Sequence, residues 1–497
     1  MFEKSGIVET AEKFVYEVDK EAYENFAGMK DTMNTADIFK KYESLFSKDN
    51  IESIKKALAS GKSGDDTARG LRYLSRFITE GYMENDVREL ADKIATKSSQ
   101  ATIKVDGKDV AFRFSSVMIM NEDDREKRLS IDRARDPVIL DLNVLMKKRL
   151  ERIYELSGSL GYGNYLELYK DMKGIDFVGF SRLLDGFLKD TESIYTDNLG
   201  KYLETIGVDI KGAEKTDVSY LFRAKKYDPY FKKEFALETL KKTLSGMGIE
   251  LDGQKNIKLD LEERPKKSPR AFCMPMKVPD EVYLVTMPRG GQDDYQALLH
   301  ESGHAEHFAN TKPELSFEYK HLGDISVSET YAFLFHYLTT DSNWLSCYIG
   351  MRGDDMAEYL RFVFFNKLYM LRRYSAKLRY EIELHTGGFG KGDALYSRHL
   401  GEVLKFRHPP HHYLSDLDDG FYSSQYLRAW VFEAQLRAAL KEDFGEKWFL
   451  NKETKEKLME LYGLGEKYSV EELAQRVGYN GLDTKPLVEE IALVLKA

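Results

Sequence analysis

The chain has 497 residues, a net charge of -9, and acidic and basic residues mixed along its whole length. That leaves no basic stripe for nucleic acid and no polybasic anchor for a membrane, so small, locally neutral partners are expected. Two cysteines, Cys273 and Cys347, are too few for a disulfide framework and lack C-x-x-C spacing. With no apolar h-region at the start and no apolar run of membrane-spanning length, this predicts a cytoplasmic protein in a reducing compartment.

In chain order, "TIKVDGKDVAFRF" (102–114) alternates apolar and polar residues around an Asp-Gly pair and predicts a hairpin. "VLMKKRLERIYELSGSLG" (144–161) and "FALETLKKTLSGMG" (235–248) repeat apolar residues three and four apart before glycine, which predicts helices, and most of the chain reads this way. "RPKKSPR" (264–270) predicts a surface connection between a first and a second half, and "EVYLVTM" (281–287) a short strand. The glycine-rich "TGGFGKGD" (386–393) does not fit G-x-x-x-x-G-K-[ST] and predicts a loop, not a phosphate cradle. The expected fold class is mainly α, and a chain of this length exceeds what one core usually sustains.

The segment that carries chemistry is "QALLHESGHAEHF" (296–308), where His300, Glu301 and His304 form H-E-x-x-H. On a helix, positions i and i+4 share a face, so both imidazoles can address one zinc ion while Glu301 sits a step around the cylinder. All ten histidines lie at or after position 300, so a histidine site belongs to the second half. A hydrolytic zinc usually takes three protein ligands and leaves a fourth position to water. His307 shares the face but stands about 10.5 Å along the axis from His300 at about 1.5 Å per residue, too far for one ion, and reads as a pocket or surface histidine. Asn310 occupies the place of the third histidine in the longer metzincin pattern. Glu329, in the apolar helical run "GDISVSETYAFLFHYL" (323–338), is the remaining candidate, because a carboxylate among Tyr331, Ala332, Phe333 and Leu334 is costly to bury without a cation or donors. A solvent-facing glutamate is the alternative.

At these residues the sequence resembles the zinc oligopeptidase family that includes thimet oligopeptidase and oligoendopeptidase F, with angiotensin-converting enzyme as a distant relative. In that family the third ligand is a glutamate about 25 residues after the second histidine, the spacing from His304 to Glu329 here. The resemblance reaches "HPPHHYLSDLDDGFYSSQYLRAWVFEAQLRAAL" (408–440), where family members carry a histidine, a glycine-rich loop and paired tyrosines whose phenol donates to the oxyanion. Tyr426 matches that tyrosine. The usual partner three residues earlier is Ser423, so Tyr422 competes for the role, and His411 and His412 stand as alternative histidines. Weaker similarity runs through "SLGYGNYLELY" (159–169) and "YLFRAKKYDPYF" (220–231). The resemblance implies two interleaved helical lobes flanking a deep substrate channel, with a small β-element beside the zinc helix. Residues 1–265 would form the lid and one wall, and 266–497 the catalytic region.

The expected function is hydrolysis of internal bonds in short peptides, with one zinc ion on His300, His304 and Glu329. Glu301 is the general base, Tyr426 and His412 donate to the oxyanion, and Tyr422 and His411 contact substrate. The run before the helix suggests an edge strand for pairing with an extended peptide. A carboxypeptidase or peptidyl-dipeptidase of the same fold would need a cation for the terminal carboxylate, with Lys405 and Arg407 nearby in sequence. A zinc-stabilised peptide-binding protein that does not cut is the rival outside enzymes, and it would have no use for Glu301. Oligomeric state and the natural peptide are not legible.

Overall fold

The computed structural model describes residues 4–60, 65–223 and 225–496. It is 72% helical, a mainly α protein with two small sheets. No helix among the described residues is long and apolar enough to cross a membrane. The chain divides into two compact units, each assembled from separated segments. The first comprises Met1–Tyr82, Lys225–Leu360 and Arg428–Leu487, and the second Met83–Ala224, Arg361–Leu427 and Val488–Ala497. Residue 265, where the sequence reading puts a division, lies inside the Lys225–Leu360 segment. Most changes of unit fall inside continuous helices, such as Asp65–Gln100 and Gly353–Glu383, so no linker composition marks them.

The expected hairpin is present in the second unit as β1 (Thr102–Val105) and β2 (Lys108–Ala111), antiparallel with Thr102 opposite Ala111. Asp106 and Gly107 both have positive φ, 50° and 78°, as a tight turn with this twist demands. Its one buried residue, Ile103, joins a cluster with Phe112, Ile119, Ile131, Ile139 and Leu142. The 144–161 pattern belongs to a longer helix, Arg125–Ser159, and the 235–248 pattern to Ala236–Gly246. The latter ends where Gly248 takes φ 85° and Ile249 N–H returns to the Leu244 carbonyl at 2.9 Å. "TGGFGKGD" forms irregular helical turns over Leu384–Lys391 and then the start of the Gly392–Leu404 helix; Thr386 and Gly387 leave helical geometry.

In the first unit a three-stranded sheet stands in the order β3 (Ile257–Asp260), β5 (Glu281–Val285), β4 (Phe272–Lys277), with β3 parallel and β4 antiparallel to β5. The strand expected from "EVYLVTM" therefore exists, but it is the central one. Both its edges are taken, so the edge strand that could receive a peptide is not β5. The segment 264–270 is largely at the surface, with Pro265, Lys266, Pro269 and Arg270 exposed, but it lies inside the first unit and does not join two units, and one of its residues is anchored in the interior. Lys267 is buried and donates to the Asp260 carbonyl and carboxylate and to the Glu262 carbonyl at 2.8 to 2.9 Å. Arg264 pairs with Asp260, tying the segment to the end of β3. An ammonium is buried here only because every donor finds an oxygen.

Candidate metal centre

After β5 the loop passes through Gly290 and Gly291, both at positive φ (86° and 98°), and enters the Gln292–Ala309 helix. Asp294 in the first turn accepts from the N–H groups of Arg289 and Gly290 at 2.8 and 3.0 Å, and a carboxylate is favoured at that end of the helix dipole. His300 and His304 project from this helix, and Glu329 from the helix Ile325–His336. Their ligand atoms all lie within 4.8 Å of one another. The Nε2 atoms of His300 and His304 stand 3.5 and 3.9 Å from Glu329 Oε2.

The residues fit a metal ion. Donors about 2.1 Å from one tetrahedral centre stand roughly 3.4 Å apart, close to both separations. Burial pushes the His300 imidazole down to about 4, with Arg270 adding to the effect, and pushes His304 well below its ordinary value. Burial thus favours the neutral form of both rings, the form that ligates. His304 Nδ1 meets Ser328 Oγ at 2.6 Å; in the tautomer that donates this bond, Nε2 presents its lone pair toward Glu329. Glu329 is only 6% exposed, which excludes the solvent-facing alternative.

Glu301 faces β4. Its Oε2 accepts from the Cys273 backbone N–H at 2.8 Å, and burial pushes its carboxyl up to about 7. Since β4 is paired only with β5 among the described residues, Glu301 reaches the outer edge of that strand. His307 is neither a pocket nor a surface residue. It is fully buried and stacks against Phe308 and Tyr331, so it is a core histidine of this helix.

Two features of this centre escaped the sequence reading. Gly303 sits between the ligand histidines where the helix crosses its neighbour; a Cβ there would lie 2.4 Å from the Tyr331 carbonyl oxygen and 2.6 Å from Ala332 Cα. Asp324 caps the Glu329 helix by accepting from Ser326 N–H at 3.1 Å, and Arg428 clamps the cap with bonds of 3.0 and 2.7 Å to the two carboxylate oxygens. Arg428 also donates to Ser326 Oγ at 3.0 Å and to Glu471. A glycine and a capping aspartate carry a local signal, but their partners are distant in sequence.

Burial alone would raise the Asp324 carboxyl, but Arg428, together with the hydrogen bonds from Ser326, outweighs it and holds the group below the usual carboxylate range. That stabilisation is complete above the unfolded-state value of about 3.9 and lost as pH falls through the lower folded value. Arg428→Met strands a buried carboxylate, so a loss of about 3 to 5 kcal/mol is expected in urea unfolding at neutral pH. Acid unfolding of the variant should begin at higher pH than in the wild type. A loss below about 1 kcal/mol would show that the clamp is not what holds this helix end.

The remaining candidates belong to the second unit. Tyr422 and Tyr426 open the Tyr422–Phe444 helix, half-buried, with ring centroids 4.9 Å apart, and Tyr426 packs edge-on against Tyr374 at 5.8 Å. Ser423 is buried and donates to Glu381 at 2.6 Å. His411 Nε2 meets Asp136 at 2.7 Å, and His412 is buried with Nδ1 3.5 Å from the Lys215 ammonium. Lys405 pairs with Glu192, and Arg407 with Glu214 at 3.4 Å.

No family model and no curated protein matches this sequence. Solved structures do. A chain assigned as an oligoendopeptidase F from Bacillus anthracis str. Ames superimposes with a TM-score of 0.61 and 14% identity, over 96% of this chain and 85% of that one. PZ peptidase A, in a structure with an inhibitor, superimposes with a TM-score of 0.65 and 13% identity, over 100% of this chain and 98% of that one. At such identities the likeness establishes a shared fold across essentially the whole chain. The mainly α fold class expected from the sequence is therefore present.

Proposed function

We propose that this protein is a zinc-dependent peptidase that hydrolyses internal bonds of short peptides. The observation that carries the reading is the convergence of His300, His304 and Glu329 beside Glu301, within a fold shared with an oligoendopeptidase F and PZ peptidase A. One zinc ion would be held by those three side chains. When bound, it supplies Lewis acidity toward a peptide carbonyl.

The chain's own residues do the rest. Ser328 orients the His304 ring. The Cys273 N–H holds Oε2 of Glu301, leaving Oε1 to exchange a proton. Glu301 takes the proton of the attacking water as oxygen bonds to the carbonyl carbon, and delivers it to the amide nitrogen as the C–N bond breaks. Of the two edge strands among the described residues, β3 and β4, we assign pairing with an extended peptide to β4, because its Cys273 N–H meets the base. Main-chain pairing tolerates many side chains, which supports broad sequence preference.

Tyr426 is assigned donation to the oxyanion on the strength of the helix it opens and the sequence resemblance. Tyr426→Phe should then lower kcat by roughly 10²-fold to 10³-fold with little change in KM, since the hydrogen bond matters as charge develops. Tyr422→Phe is the control. A crippled Tyr422→Phe beside a normal Tyr426→Phe transfers the role to Tyr422.

The reading as a whole is tested by incubating zinc-loaded protein with a mixed peptide library and identifying products by mass spectrometry. Internal cleavage of short peptides, abolished by a chelator, is expected. Removal of C-terminal residues or dipeptides alone would make the protein a carboxypeptidase or peptidyl-dipeptidase. Capture without cleavage would make it a binding protein.

A further inference from the structure

Arg270 lies two residues before β4 and three before Cys273, whose backbone N–H meets Glu301 Oε2 at 2.8 Å. Three residues of chain span at most about 11 Å, so the Cα of Arg270 lies within that distance of the strand position that touches the base. Its backbone is held in place. The N–H donates to Ser268 Oγ at 3.3 Å, the carbonyl accepts from the same hydroxyl at 3.2 Å, and Ser268 N–H donates to the Phe26 carbonyl at 2.7 Å. Its side chain is not. The guanidinium is exposed and forms no ion pair and no side-chain hydrogen bond among the described residues.

Exposed arginines are common on protein surfaces, and most need no explanation. Two things set this one apart. Its charge reaches the metal centre, adding to burial in lowering the His300 imidazole and opposing burial at the Glu301 carboxyl. It also stands near exposed apolar surface, where Phe26, 44% exposed, meets the ring of Phe272 edge-on at 5.9 Å, two residues on from Arg270. Lys405 and Arg407, the cations near the candidate tyrosine loop in sequence, are already paired with Glu192 and Glu214. Arg270 keeps its donors free at one end of the strand assigned to the peptide, and its planar fork matches the two oxygens of a carboxylate.

Pairing supplies the direction. A peptide added to β4 in the antiparallel sense, the more stable one, runs against the strand and carries its C-terminal part toward Phe272 and Arg270. With the scissile bond level with Glu301 and Cys273, the offset of three residues brings Arg270 opposite the second or third residue after that bond. We propose that Arg270 binds a substrate carboxylate at this place and so selects peptides that carry one there. The inference rests on the peptidase reading and on the assignment of β4. Two sources offer the group: the α-carboxylate of a peptide that ends there, and the side chain of an Asp or Glu.

A matched peptide series on the zinc-loaded protein tests this. It comprises a peptide ending two or three residues after its cleaved bond as the free acid, its C-terminal amide, and two longer amidated peptides with Glu or Gln at the same place. Cleavage positions and kcat/KM are measured for wild type, Arg270→Met and Arg270→Lys. The free acid over the amide, or Glu over Gln, should be favoured by roughly 10-fold or more, the worth of one charge-assisted bond, and mainly through KM. The favoured pair names the source. In Arg270→Met that ratio should fall to near one, and Arg270→Lys should restore part of it, since it keeps the charge and loses the fork. Circular dichroism verifies that each variant is folded; if Arg270→Met is not, Arg270→Gln takes its place. A ratio near one in the wild type, a ratio unchanged by Arg270→Met, or a preference only for a carboxylate before the scissile bond overturns the proposal. If no peptide of the series is cleaved, the peptidase reading fails by itself, and calorimetric titration of the same peptides decides on Arg270. Tighter binding of the charged peptide, lost in Arg270→Met, is then expected, and equal affinities overturn it.

Discussion

Glu301→Gln is expected to keep its zinc and lose most of its turnover, by roughly 10²-fold to 10⁴-fold, the range that one positioned acid or base contributes. The amide preserves size, and its carbonyl oxygen can still accept from the Cys273 N–H, which stands 2.8 Å from Oε2 in the native protein. What it cannot do is take the proton of the attacking water. Metal content and rate must be measured on one preparation, because His300 and His304 flank this position and a misfolded helix would lose both together. The discriminating outcome is full metal occupancy with the rate gone. Near-normal cleavage at full occupancy would remove Glu301 from the chemistry and leave the three ligands as a structural site.

How far the sequence alone reaches can be traced through these same residues. H-E-x-x-H is legible because its geometry is local: one helix turn places His300 and His304 on one face whatever the surroundings. Glu329 required more, the cost of burying a carboxylate among aromatic residues together with a family spacing. Ser328 sits one residue before Glu329 and looks like any helix serine until His304 is brought against it. Asp324 could be read as a helix cap, but not Arg428, which arrives from 104 residues away.

The strand at 281–285 was legible and its place was not, because β3 is only four residues long and β4 contains Pro275, so neither offers the alternation that marks a partner. His307 shows the same limit from the other side. Helix geometry alone keeps it off the ion shared by His300 and His304, while its burial depends on Tyr331, which belongs to another helix.

Gly303→Ala is expected to damage this centre through a single added methyl. Gly303 lies between the two ligand histidines, and the added Cβ would meet the Tyr331 carbonyl oxygen at 2.4 Å and Ala332 Cα at 2.6 Å. These are backbone atoms of the helix that carries Glu329, so no side-chain rotation relieves the contact and the two helices must move apart. In an exposed helix the same change is stabilising by about 1 kcal/mol, since alanine is the better helix former. Here the sign reverses, with a loss at or above the upper end of the roughly 1 to 3 kcal/mol typical of an overpacked core. Separation acts on the site as well. The histidines now stand 3.5 and 3.9 Å from Glu329 Oε2, and a further ångström exceeds what one ion can bridge at metal–ligand distances of about 2.1 Å. Zinc affinity is therefore expected to fall by more than the roughly 10-fold to 100-fold typical of a lost supporting contact. Zinc titration against a competing chelator and urea unfolding, run on the same variant, check both effects. Gly303→Ala with native stability and native zinc affinity would mean that the close crossing does not set the ligand spacing.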